Sequence, residues 1–280
     1  MAFQPSTIER SPGAGPWPRR EASRRKATPG REWLYGRQPV HEALRAGRRR
    51  AYRLLVPRDG GRAREVEPLE ELARSRHAVV APAERRDLDE LLGRVNHQGV
   101  ALEVSGYPYA PVEGLPADAA RRGAPPLLML LDHLEDPQNF GSLLRTADAA
   151  GVDGVLIPAD RAVGVTPAVV RASAGASEHM RVAVVVNLAR AMQALQEQGF
   201  SLVGLDLAEA SVPYTQADLG GALGLVIGGE GRGLGRLVRE NCDRLIRIPM
   251  LGGVASLNAS VAGAVALYEA LRQREQLPSR

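Results

Sequence analysis

The sequence predicts an α/β protein whose larger part is an open parallel sheet with helices on both faces. The run Leu127-Leu128-Met129-Leu130-Leu131-Asp132 is apolar throughout and ends on an acid, as suits a strand buried on both sides. From there to residue 273, short aliphatic runs alternate with helical segments of about ten residues, the rhythm of strands joined by crossover helices. Two glycine loops, Gly228-Gly229-Glu230-Gly231-Arg232-Gly233 and Met250-Leu251-Gly252-Gly253, follow strand-like runs. Bare backbone at strand ends lets a ligand lie close against it.

In chain order, residues 1–30 are rich in Pro, Gly, Ser and Arg and poor in aliphatics, so they read as a disordered basic tail. Residues 31–106 read as a small α/β domain. Order begins near Trp33, and Leu34 to Val40 leads into a short helix from His41 to Ala46. A strand is expected at Tyr52 to Val56, helical spacing over 62–76, and a strand at Ala78 to Ala81. A helix at Asp87 to Leu92 and a strand at Gly99 to Val104 complete it. Residues 107–124, with Pro108, Pro111 and Pro116, read as a linker.

The large domain spans 125–280. After the Leu127 strand, a polar loop runs into a helix, with Asn139 near its start and Arg145 in its second turn. Val155 to Pro158 is a strand, and Thr166-Pro167 opens a helix ending near Ser173-Ala174-Gly175. A strand at Val182 to Val186, a helix at Leu188 to Gln198 and a strand at Ser201 to Asp206 follow. An irregular loop is expected up to Leu223, then strands at Leu223 to Ile227 and Arg244 to Pro249. Ser256 is the expected N-cap of a long final helix.

Charge narrows the function. The net charge of +4 is unevenly spread: residues 1–60 hold 14 Arg/Lys against 5 Asp/Glu. A basic arm of this kind suits nucleic acid. The cluster Arg48, Arg49, Arg50 and Arg53 is a candidate phosphate contact, with a solvated turn as the alternative. One cysteine, Cys242, excludes an intrachain disulfide and fits a reducing cytoplasm. No apolar run is long enough to span a bilayer. The lone lysine, Lys26, excludes a P-loop. No G-x-G-x-x-G occurs, and the five histidines show no metal-ligand spacing, so no metal is expected.

Three motifs then stand in order: Asn139-Phe140-Gly141-Ser142-Leu143-Leu144-Arg145-Thr146-Ala147, Ile227-Gly228-Gly229-Glu230-Gly231-Arg232-Gly233-Leu234, and Ile248-Pro249-Met250 with Ser256-Leu257-Asn258-Ala259-Ser260. Together they resemble the TrmH (SpoU) family of the SPOUT class, RNA ribose 2′-O-methyltransferases that use S-adenosylmethionine. The likeness covers about residues 125–273. Residues 33–104, with Tyr35-Gly36-Arg37 at the start and Asn96-His97-Gln98-Gly99-Val100 at the end, look like that family's ribosomal-protein-like RNA-binding domain.

The resemblance implies a C-terminal trefoil knot, a homodimer, and a cofactor site in the knot. It places Gly228, Ile248 and Leu257 at cofactor-contacting positions. It places Asn139, Arg145, Glu230, Ser256 and Asn258 in the catalytic and substrate-positioning set, and adds Arg37 to the RNA-binding candidates. In that family the arginine matching Arg145 is often assigned as the base; a guanidinium is normally all donor, so clamping phosphate or stabilising alkoxide charge is physically easier, and both roles stand for Arg145. The implied substrate is a guanosine of large-subunit ribosomal RNA. Transfer RNA, ribosomal adenosine methylation of the antibiotic-resistance type, and a non-catalytic RNA-binding assembly factor are the alternatives.

Overall fold

The computed structural model describes residues 30–58, 63–116, 124–231 and 233–275. The expected disordered tail, up to residue 29, and Arg232 of the first glycine loop lie outside the described residues.

A four-stranded sheet forms the N-terminal part, in the order β1-β4-β2-β3. Its strands are β1 (Arg31–Tyr35), β2 (Ala51–Pro57), β3 (Val79–Ala83) and β4 (Ala101–Ser105). β4 runs antiparallel to β1 and β2, and β2 runs parallel to β3. Period-two alternation sorts the side chains. Leu34, Leu54, Leu102 and Val104 enter the main core beside helices α1 (Arg37–Ala46) and α2 (Ala63–Ser75). Trp33 and Leu55 turn the other way, toward Leu88 and Leu92 of α3 (Arg85–Leu92). β1 is an element the sequence did not announce, because only Leu34 in it is aliphatic. α1 starts four residues ahead of His41, since Pro39 falls in the first turn, where a missing N–H breaks no helical bond.

The large sheet has seven strands in the order β7-β6-β5-β10-β8-β11-β9, and each of its pairings is parallel. They are β5 (Leu127–Asp132), β6 (Gly154–Pro158), β7 (Val182–Val185), β8 (Ser201–Leu205), β9 (Val212–Pro213), β10 (Leu223–Gly228) and β11 (Arg244–Arg247). Crossovers and flanks carry α4 (Pro137–Ala149), α5 (Pro167–Ala172), α6 (Leu188–Gln196), α7 (Arg236–Glu240) and α8 (Ala259–Glu275). β5 shows why its sequence is apolar throughout. Leu127, Met129 and Leu131 face the layer of α4, α5 and α8, while Leu128 and Leu130 face α6 and α7. Each buried leucine contributes roughly 1.5–3 kcal/mol.

α8 packs on α4 through Gly263, where a Cβ would come within 2.6 Å of Leu143 and 2.7 Å of Ile227. The stretch before Leu223 is more ordered than expected. It holds β9 and a 3-10 turn at Tyr214–Gln216. β9 pairs through two residues with β11, a non-local contact with no local signature. The proline-rich segment is likewise no loose linker in its first half. Tyr107, Val112 and Leu115 are buried, and Ala110 bridges to Ala183 on the edge strand.

Candidate active site

Asp136 caps α4, its carboxylate accepting the N–H groups of Gln138 at 3.2 Å and Asn139 at 3.0 Å, with Pro137 in the first helical position. This cap fixes Asn139, which is buried. Its Nδ2 donates to Glu230 Oε1 at 2.5 Å, and its Oδ1 accepts from Asn258 Nδ2 at 2.9 Å. Three residues from three distant motifs therefore form one hydrogen-bonded chain.

Glu230 reaches that position because the glycine loop is folded tightly on itself. The N–H of Gly229 donates to Asp132 O at 2.8 Å. A Cβ at Gly229 would sit 2.2 Å from His133 O, and one at Gly228 would sit 2.2 Å from the Gly233 carbonyl carbon. No side chain fits at either position. Asp132, fully buried at the end of β5, accepts the Gly235 N–H at 2.7 Å and ties the far side of the loop down.

The N-cap of α8 is Asn258, which corrects the expectation of Ser256. Asn258 Oδ1 accepts the N–H groups of Ser260 at 2.9 Å and Val261 at 3.3 Å. Both residue types cap helices, and the choice is made by the bond from Asn258 to Asn139, which no local pattern contains. That double engagement also orients the amide, oxygen to the helix and nitrogen to the site. Ser256 lines the neighbouring cavity and is exposed.

Arg145 is exposed on α4 and makes no hydrogen bond or ion pair with any described residue. It lies six residues past Asn139, about 9 Å along the helix axis and on a face roughly 120° away. The chain of Asn139, Glu230 and Asn258 therefore does not include it.

A cavity of about 360 Å³ opens at the C-terminal ends of β8, β10 and β11. In an open parallel sheet this is where ligands bind. Gly228, Ile248 and Leu257 line it, and so do Glu230 and Ser256. Sequence reasoning missed Leu205, Asp206, Met250 and Arg247, which also line it. For Asp206 the signal was available: like Asp132, it is an acid directly ending an apolar strand. Burial, with Asp243, Asp206 and Asp132 adding to it, pushes the Cys242 thiol up to about 12, which disfavours its thiolate. Among the described residues, no group of three or more His, Cys, Asp or Glu side chains is placed to hold a metal.

The arginine cluster divides. Arg49, with a side chain 1% exposed, lies between Glu32 Oε2 at 2.6 Å and Glu178 Oε2 at 3.0 Å. Arg48 donates to the carbonyls of Pro108 at 3.2 Å, Glu178 at 3.3 Å and Met180. These two hold the small domain to the large one and are not presented to phosphate, which corrects their reading as RNA contacts. Glu178 and Met180 are about 130 residues away in sequence, so the cluster alone could not reveal them. Arg50 and Arg53 are exposed. The guanidinium of Arg50 lies 5.2 Å from the Tyr52 ring centre, that of Arg31 lies 4.0 Å from it, and Arg53 is 3.9 Å from Glu103. Arg37 is half-buried at the start of α1, its backbone N–H donating to Gln98 Oε1 at 3.0 Å.

Comparison with known proteins gives this geometry a lineage. Residues 126–268 match the SpoU rRNA methylase family, and residues 33–110 match the domain described as RNA 2′-O ribose methyltransferase substrate binding. A protein of Bacillus subtilis named for the TrmH family of tRNA/rRNA methyltransferases, YacO, is 42% identical over 87% of this chain and 96% of its own length. The 23S rRNA (guanosine-2′-O-)-methyltransferase RlmB of Pseudomonas syringae is 42% identical over the same shares. Among solved structures, the AdoMet-bound rRNA methyltransferase of Sinorhizobium meliloti superposes with a TM-score of 0.73 at 26% identity, over 89% of this chain and 88% of that one. With the substrate-binding domain ahead of the glycine-lined crevice, the chain belongs to the SpoU rRNA methylase family of RNA 2′-O-methyltransferases.

Proposed function

We propose that this chain transfers the methyl group of S-adenosylmethionine to a ribose 2′-hydroxyl, on a guanosine of large-subunit ribosomal RNA. The observation that carries the reading is the Glu230–Asn139–Asn258 chain, set at the rim of a glycine-lined cavity. The relatives named as ribosomal guanosine methyltransferases and the AdoMet-bound neighbour support the substrate and the cofactor.

The cavity suits that cofactor. Gly228, Gly229, Gly231 and Gly233 line it, so a flat adenosyl group can lie against bare backbone, and Ile248 and Leu257 supply apolar walls. The cofactor, when bound, supplies a methyl group activated by a sulfonium. The protein supplies alignment, which contributes on the order of 7–11 kcal/mol in the best cases. Asn139 is held from both ends, so its remaining Nδ2 hydrogen has a fixed direction toward substrate. Glu230 keeps one oxygen beyond its bond to Asn139, as an acceptor near the incoming hydroxyl. Arg145, free of partners among the described residues, clamps a substrate phosphate and stabilises the developing alkoxide. Ser256 orients the substrate from the second loop.

Further features belong to the same reading. The segment carrying the second glycine loop and α8 forms a trefoil knot around the cofactor. Two copies of the chain form a dimer that covers the exposed Leu251, Val254, Val261 and Tyr268. Residues 31–106 and 125–280 act as RNA-binding and catalytic domains joined by 107–124, in the cytoplasm. Arg50 and Arg53, both exposed, meet phosphates.

The test is a transfer assay with labelled S-adenosylmethionine on unmodified large-subunit ribosomal RNA and, separately, unmodified transfer RNA, with the modified ribose mapped. Label in a ribosomal 2′-O-methylguanosine is the expected result. Label only in transfer RNA keeps the chemistry and overturns the substrate. Cofactor binding with no label in either RNA favours an RNA-binding assembly factor.

A further inference from the structure

We infer that Asp206 accepts hydrogen bonds from the two ribose hydroxyls of the bound adenosyl cofactor, an assignment that rests on the cofactor reading above. Asp206 directly follows β8, and its N–H donates to Ile246 O at 3.0 Å, which fixes the residue at the cavity's edge. Its Oδ1 accepts the Ala208 N–H at 2.9 Å, a local turn that sets the side-chain rotamer. Its Oδ2 makes no hydrogen bond or ion pair with any described residue, and lies 4.0 Å from where a Cβ on Gly233 would be. One carboxylate oxygen is thus held in place, and the other is left beside the glycine loop.

The surroundings select the donor. Leu205, Ile246 and Ile248 line the same part of the cavity and offer an apolar wall to a base. The sugar attached to that base reaches the wall's edge, where Asp206 stands. A carboxylate is acceptor-only, with lone pairs to spare, and a vicinal diol offers two donors. The competing donor is the ammonium of the cofactor's amino-acid tail. That tail brings its own carboxylate, which Asp206 would repel, whereas a neutral diol carries no such penalty. The other acid of the cavity, Glu230, is already bonded to Asn139 and marks the reacting end. Asp206 is a cofactor-positioning residue, separate from the catalytic set.

Calorimetric titration tests this without turnover. The ligands are S-adenosylhomocysteine, 5′-methylthioadenosine, which lacks the amino-acid tail, and the 2′,3′-dideoxy form of S-adenosylhomocysteine. Asp206→Ala is expected to weaken the first two by the same factor, about tenfold or more, and to leave the dideoxy ligand's affinity unchanged. Asp206→Asn keeps an Oδ1 for Ala208, so it should hold the wild-type melting temperature and still lose affinity. Loss for S-adenosylhomocysteine but not for methylthioadenosine would assign Asp206 to the ammonium and overturn the inference. So would an equal loss for the dideoxy ligand, or wild-type affinity in both variants. Failure of folded wild-type protein to bind any of the three would bring down the cofactor reading itself, and that outcome shows before any variant is made.

Discussion

The junction between the domains and the crevice at the sheet's C-terminal edge use polar side chains in opposite ways. At the junction, Arg49 is enclosed by Glu32 and Glu178, Tyr107 donates its hydroxyl to Met180 O at 2.6 Å, and His179 Nε2 lies 2.8 Å from Glu42 Oε2. Partners enclose the charges of Arg49 and Glu178, whose side chains are buried. At the crevice, Glu230 and Ser256 line the cavity and Ser256 is exposed, while on α4 Arg145 is exposed and has no partner among the described residues. Polar groups closed on each other fix one domain against another. Polar groups left open on a rigid frame await a ligand. Removing a junction residue should therefore act on stability, and removing a crevice residue on turnover.

The largest expected effect is at the junction. Arg49→Ala leaves two buried carboxylates without their cation and should lower unfolding free energy by about 3–5 kcal/mol, measured by chemical denaturation. A loss under 1 kcal/mol would make the junction no tighter than an exposed ion pair. On α4, Arg145→Ala should reduce kcat roughly a hundredfold or more, as for loss of one donor to developing charge. Its melting temperature and cofactor affinity should stay at wild-type values. Near wild-type turnover would remove Arg145 from the mechanism.

A smaller effect tests the junction's pH dependence. Burial raises the carboxyl of Glu42, but hydrogen bonds with His179 and His41 and the charge of Arg45 outweigh it and hold the group below its usual range. A depressed carboxyl stabilises the fold above its unfolded value, about 4.3, and that contribution disappears as pH falls through the lower folded value. Glu42→Gln should thus be less stable than wild type by roughly 1–3 kcal/mol at pH 7, with the gap closing in acid. A gap unchanged from pH 7 to pH 3 would show that packing, not charge, holds this contact. The smallest effect concerns Arg50 and Arg53. Replacing both with Ala should weaken RNA binding modestly and flatten its logarithmic salt dependence by about 0.7–0.9 per lost phosphate contact. The same slope in the variant would return both to the solvated-turn reading.

Much of the fold was legible because it is written in local patterns. The apolar run of β5, Thr166-Pro167 at the head of α5 and the aliphatic spacing of α6 each specify their element without outside help. β1 and β9 were not legible: one has a single aliphatic residue, and the other is two residues long and exists through its pairing with β11. The site was legible as three motifs, and the structure joins three of their side chains. Arg48 and Arg49 misled, because a run of arginines looks the same whether its counter-charges are phosphates or distant glutamates.

The sequence by itself determined the periodicity of each element, the glycines that the tight loop requires, and the identity of the polar residues stranded among them. Those are consequences of short-range sterics and hydrogen bonding, which a dozen neighbouring residues suffice to define. Only the tertiary structure decided that β10 lies between β5 and β8, that Asn258 rather than Ser256 caps α8, and which arginines face solvent. Each of those depends on a partner outside the local run of residues or on burial by another domain, and burial is a property of the packed chain that no local run of residues carries.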